Sequence, residues 1–126
     1  ARFVAQGTPA DMGGLAQVIE AGIRYPGFAF INVQSPCVTY GQEDQMLKAQ
    51  KATMQPLESL GHNPADRLAA MNLAQAYGEK LYTGVFYRQP EPGPTYERLA
   101  RERQDAQRAT VKSRADVLNV FKLKTL

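Results

Sequence analysis

One cysteine, Cys37, and one histidine, His62, are all that 126 residues hold of the side chains that most readily make nucleophilic and metal sites. A single cysteine excludes an intrachain disulfide. A zinc site takes four ligands, and one Cys with one His cannot complete it without carboxylates. A Cys/His nucleophile pair would have to use these two residues, and His62 reads instead as a capping neighbour or surface residue at a helix start. Long apolar runs are also missing: Pro, Gly or charge interrupts every stretch before the roughly 18 residues that a membrane helix needs. The opening "ARFVAQGTPA" has neither the basic head nor the apolar run of a signal peptide. The expected setting is therefore cytoplasmic and reducing, with no membrane partner. Aromatic and basic residues do not interleave and no zinc-finger spacing occurs, which sets nucleic acid aside as a partner.

What is present suits one globular domain, with 44% hydrophobic residues to build a core. The charge of +3 is unevenly placed: residues 1–94 carry a net −1 and residues 95–126 a net +4. "RFVAQ" (2–6) reads as a strand. "GTPADMGGLAQVIEAGIRYPG" (7–27) reads as a helix, with Thr8 as N-cap, Pro9 at the first position and Asp11 in the first turn. Leu15, Val18, Ile19 and Ile23 form its expected buried stripe. Pro26-Gly27 stops the helix, and "FAFINV" (28–33), almost wholly apolar, predicts a strand buried on both faces. A strand, helix, strand unit with this spacing predicts two parallel strands. Two strands make too small a sheet, and the remaining segments look mostly helical, so further strands are expected from residues elsewhere.

Downstream, residues 43–61 predict a helix broken at Pro56. Residues 62–80 predict another, capped by Asn63, started by Pro64, with Leu68, Met71 and Leu73 on its apolar side and Gly78 at its end. "LYTGVFYR" (81–88) reads as extended, and "QPEPGP" (89–94) as a turn or linker. From Thr95, Glu97/Arg101, Arg98/Glu102 and Arg101/Asp105 stand at i, i+4 on a charged, solvated helix. The segment "VLNVFKLKTL" (117–126) is apolar enough to be expected to dock against a partner subunit or another part of the same one.

Cys37 remains the chemical question. A cysteine after a buried strand reads, without other context, as a small buried hydrophobe. A ligand reading competes, because ligands in parallel α/β sheets sit beyond the carboxyl ends of strands, where Ser35-Pro36-Cys37 falls, and Pro36 stiffens the backbone entering the thiol.

"GFAFINVQSPCVTYG" (27–41) resembles the Ser-Pro-Cys segment of the beta subunit of 2-oxoacid:ferredoxin oxidoreductases. The likeness extends upstream through "RFVAQG" and downstream through "HNPADRLAAMNLA" and "YTGVFYR", about residues 2–88 in all. The resemblance implies an α/β fold: the strand-helix-strand end of a parallel thiamine diphosphate-binding sheet, followed by a mostly helical C-terminal region. It divides the chain into the end of the thiamine diphosphate-binding domain (1–41), a small C-terminal region (42–94) and a basic helical tail (95–126). It implies thiamine diphosphate, Mg²⁺ and a 4Fe-4S cluster as cofactors, with Cys37 in the place of the cluster's late cysteine ligand. A soft, deprotonated sulfur suits iron in such a cluster. The implied partners are an alpha subunit, other parts of the beta subunit, ferredoxin, coenzyme A and a 2-oxoacid, with a lean toward 2-oxoglutarate over pyruvate. The other three cluster cysteines and the Gly-Asp-Gly segment that holds the diphosphate through Mg²⁺ are not in these 126 residues. No catalytic or thiamine-binding residue is therefore expected here, and the chain is expected to be the C-terminal part of a longer subunit, inactive alone. Gly41 stands where the family often has Asn.

Overall fold

Alternation in Phe3-Val4-Ala5-Gln6-Gly7 sends Phe3, Ala5 and Gly7 to one side, all buried, and leaves Val4 and Gln6 half-buried on the other. This is strand β1 (Phe3–Gly7) in the computed structural model, which describes residues 1–37, 39, 43–76, 78 and 80–110. Thr8 caps a single 3-10 turn, Pro9–Asp11, and Asp11 in turn caps helix α1 (Met12–Arg24) by accepting the Gly14 N–H. Two short caps thus replace the one continuous helix start that the sequence predicts.

Helix α1 lays Leu15, Val18 and Gly22 on the sheet, while Ile19 and Ile23 face outward, Ile23 with 79% of its surface exposed. This corrects the expected stripe. Gly22 takes the place of an isoleucine at the contact because the helix passes close to the next strand: a Cβ there would lie 2.6 Å from Ile31 Cδ1. Phe3, Ala5, Leu15, Val18 and Tyr25 form the core on this side. Burying an apolar side chain of the size of Phe3 or Leu15 contributes roughly 1.5–3 kcal/mol.

Strand β2 (Ala29–Val33) pairs parallel with β1, from Phe3 opposite Ala29 to Gly7 opposite Val33. It is an edge strand, not a doubly buried one. Phe30, 51% exposed, leaves one face open, and Val33, 44% exposed, leaves the other incompletely covered.

The chain supplies the rest of a four-stranded sheet itself, where the sequence reading looked to residues elsewhere. Helix α2 (Glu43–Thr53) runs into strand β3 (Met54–Pro56) and a 3-10 turn, Leu57–Leu60. Helix α3 (Arg67–Gln75) precedes strand β4 (Leu81–Arg88). β4 joins β1 antiparallel and β3 parallel, giving the order β2-β1-β4-β3. The register of β4 with β1 shifts between Val4 and Ala5, which leaves Phe86 as the extra residue, and Gly84, opposite Gln6, has φ +116°, a conformation that an L side chain rarely adopts. A second cluster, Leu57, Ala70 and Phe86, collects Val4, Leu73, Tyr82 and Tyr87.

Helix α3 begins four residues after Asn63, with Asp66 as its cap. Asn63 Oδ1 accepts the Ala65 N–H in a tight turn instead, and the Arg88 N–H donates to the Pro64 carbonyl, fastening that turn to β4. Leu68 and Met71, expected on the apolar side, are exposed; Ala70 and Leu73 face the core.

These elements belong to one compact unit, Ala1–Gly93, and a second unit begins at Pro94. In the second, helix α4 (Tyr96–Thr110) buries none of its residues, and of the three charge pairs the sequence suggests, Arg98–Glu102 closes, at 2.8 Å. The docking expected of residues 117–126 lies outside the described residues. Among the described residues no helix is long and apolar enough to cross a membrane.

Candidate functional site

Because β1 and β2 are parallel and in register, their carboxyl ends, Gly7 and Val33, finish side by side. The chain leaving β2 carries Cys37 and the chain leaving β1 carries Thr8, so the two exits form one end of the sheet. Cys37 is exposed, and the Pro36 ring before it is buried. The reading of Cys37 as a buried hydrophobe is thereby corrected.

The approach is held by polar contacts. The Gln34 N–H donates to the Gly7 carbonyl at 2.9 Å, extending the ladder one step past β2. The Gln34 carbonyl accepts from Gln50 Nε2 at 3.1 Å, and its side-chain amide donates to Gln6 Oε1 at 3.4 Å. Gln6 Oε1 also accepts from Asn32 Nδ2 at 2.7 Å, and Gln6 Nε2 donates to the Tyr82 carbonyl at 2.8 Å. Thr8, 1% exposed, donates its hydroxyl to Gln50 Oε1 at 2.6 Å and accepts the Ala10 N–H. Among the described residues no buried side-chain polar atom lacks a partner. Such a network is rigid because leaving any member unpaired costs more than the bond itself gains.

His62 plays no part in this end of the molecule. Its Nε2 lies 2.7 Å from the Phe86 carbonyl, which can only accept, so the imidazole donates there and pins the 61–66 turn to β4. Among the described residues no group of three or more His, Cys, Asp and Glu could hold a metal ion. An open cleft of about 580 Å³ lies against α1 and β4, lined by Thr8, Asp11, Gln17, Glu58 and Thr83; Cys37 is not among its walls. The sequence pointed to Cys37 but missed Gln6, Gln34 and Gln50. Glutamine in a polar helix or strand carries no spacing signal, and Thr8 was legible only as a cap.

Residues 37–105, more than half of the chain and beginning at Cys37, match the family described as the C-terminal region of the pyruvate ferredoxin oxidoreductase beta subunit. The chain belongs to this family. A curated relative, the beta subunit of 2-oxoacid:ferredoxin oxidoreductase 1 of Aeropyrum pernix, is 29% identical over 107 residues, covering 78% of this chain and 34% of the relative. A solved structure, 2-oxoglutarate:ferredoxin oxidoreductase from Magnetococcus marinus with 2-oxoglutarate, coenzyme A and succinyl-CoA bound, superimposes with a TM-score of 0.73 at 25% identity. It covers 96% of this chain and 40% of its own. The chain thus spans about a third of the curated relative it matches, and its α/β fold with a mixed sheet is that of the C-terminal part of a beta subunit.

Proposed function

We propose that the chain is the C-terminal part of the beta subunit of an enzyme that oxidatively decarboxylates a 2-oxoacid, transfers the acyl group to coenzyme A and passes two electrons, one at a time, to ferredoxin. One observation carries the reading: Cys37 stands exposed at the carboxyl end of β2, at the residue where the family match begins.

In this reading Cys37 is one ligand of a 4Fe-4S cluster. The donor set fits that role and no more, since such a cluster takes four thiolates and the chain has one. When bound, the cluster supplies a one-electron relay. The chain's own contribution is to present the sulfur: β2 sets its direction, Pro36 removes freedom from the backbone, and the Gln34 contacts hold the approach. Thiamine diphosphate with Mg²⁺ has no matching segment among these residues, so its chemistry belongs to other parts of the subunit. Residues 1–41 belong to the end of the thiamine diphosphate-binding domain, 42–94 form a small C-terminal region that adds β3 and β4 to the same sheet, and 95–126 form a basic tail. The alpha subunit and ferredoxin are the protein partners, and a reducing cytoplasm suits an exposed ligand thiol. The substrate favoured is 2-oxoglutarate, supported by the name of the solved relative.

The test is anaerobic ferredoxin reduction by the assembled complex, replete with iron, thiamine diphosphate and Mg²⁺. Coenzyme A-dependent reduction is expected with 2-oxoglutarate, and more slowly with pyruvate. A replete complex in which none of the 2-oxoacids supplied supports ferredoxin reduction overturns the proposal.

A further inference from the structure

Helix α2 has no fully buried side chain, so it does not seat itself through a core of its own. Gln50, in its last turn and half-buried, reaches across to the two parallel strand exits. Its amide is used at both ends. Oε1 takes the Thr8 hydroxyl at 2.6 Å and Nε2 donates to the Gln34 carbonyl at 3.1 Å, so its orientation is determined by the chemistry of its neighbours. Thr8 is itself fixed, because it is buried and accepts the Ala10 N–H. The result is a bridge from the exit of β1, through one glutamine, to the backbone three residues before Cys37. Gln34 is caught at its N–H, its carbonyl and its side chain, by Gly7, Gln50 and Gln6.

We infer that Gln50 is a positioning residue for Cys37: by holding the Gln34 carbonyl against the Thr8 exit it fixes where the thiol is presented. Its consequence for electron transfer rests on the reading of Cys37 as a cluster ligand. The bridge needs both a donor and an acceptor at position 50. Gln50→Glu keeps the acceptor for Thr8 but turns a second oxygen toward the Gln34 carbonyl, and Gln50→Leu removes both.

The experiment uses the assembled holoenzyme and two readouts. Amide hydrogen exchange of the peptide containing residues 34–37 is expected to quicken roughly fivefold in Gln50→Leu and in Gln50→Glu, the scale of one lost hydrogen bond. It is expected to stay unchanged in Lys51→Ala, an exposed neighbour on the same helix. The low-temperature paramagnetic spectrum of the reduced cluster and its midpoint potential are expected to shift in both Gln50 variants and not in Lys51→Ala, which a merely structural helix contact would not cause. Unchanged exchange in the Gln50 variants overturns the bridge. Faster exchange with an unchanged spectrum and potential overturns the positioning role. The ligand reading is decided separately, by iron retention in Cys37→Ser, so its failure is distinguishable from failure of the bridge.

Discussion

Cys37 separates two kinds of cysteine by their response to one oxygen. Cys37→Ser is nearly isosteric, and because the thiol is exposed, no packed cavity changes. A residue of structural importance only would lose of order 1 kcal/mol at most. A cluster ligand would lose a soft thiolate and gain a harder hydroxyl that is far less acidic. We expect the Cys37→Ser complex to keep its fold and assemble while its iron content falls, or the spectrum converts to a three-iron form or moves in potential, with any loss of melting temperature following the loss of bound iron. Iron analysis and low-temperature paramagnetic resonance on one preparation decide it: full iron with an unaltered spectrum rules the ligand out.

At the scale of the element, legibility followed the range of the forces. Strand β1 was read correctly, and Thr8 was read correctly as a capping residue although what it caps is the short turn before α1, because strand alternation and capping are settled within a few residues. The burial of β2 was not: "FAFINV" announces a strand, but whether its faces are covered depends on neighbours distant in sequence, and here it lies at the sheet's edge. Gly22 could not be read as a contact residue, because what recruits it is the close approach of Ile31. The start of α3 was misplaced because two cap residues compete. Asn63 has Pro64 after it, the local signature of a helix start, yet β4 captures the Pro64 carbonyl and leaves Asp66 to accept the Ala69 N–H at 3.0 Å. A direct consequence is that Asp66→Ala should cost about 1 kcal/mol, the worth of an N-cap, with a lower melting temperature and reduced helical circular dichroism. An Asp66→Ala chain that melts with the wild type would show that helix α3 starts elsewhere.

For the whole molecule, the question is how much of a cofactor site 126 residues can make. A four-iron cluster takes four thiolates, and this chain has one, with no cluster of carboxylates or histidines among the described residues to stand in for the rest. The Gly-Asp-Gly segment through which the family resemblance implies that the diphosphate is held on Mg²⁺ does not occur in the 126 residues. The chain alone is therefore expected to bind neither cofactor, although the whole beta subunit is proposed to bind both. Titration calorimetry with thiamine diphosphate and Mg²⁺ should show no saturable heat. Anaerobic reconstitution followed by a sizing column should leave iron well below four atoms per monomeric chain. The column matters because one thiolate from each of several chains could assemble a cluster between them, and only iron that co-elutes with monomer bears on the argument. Tight cofactor binding or a full cluster on the monomer would mean that the ligands lie within these residues after all, and that Cys37 is not one member of a set completed from outside.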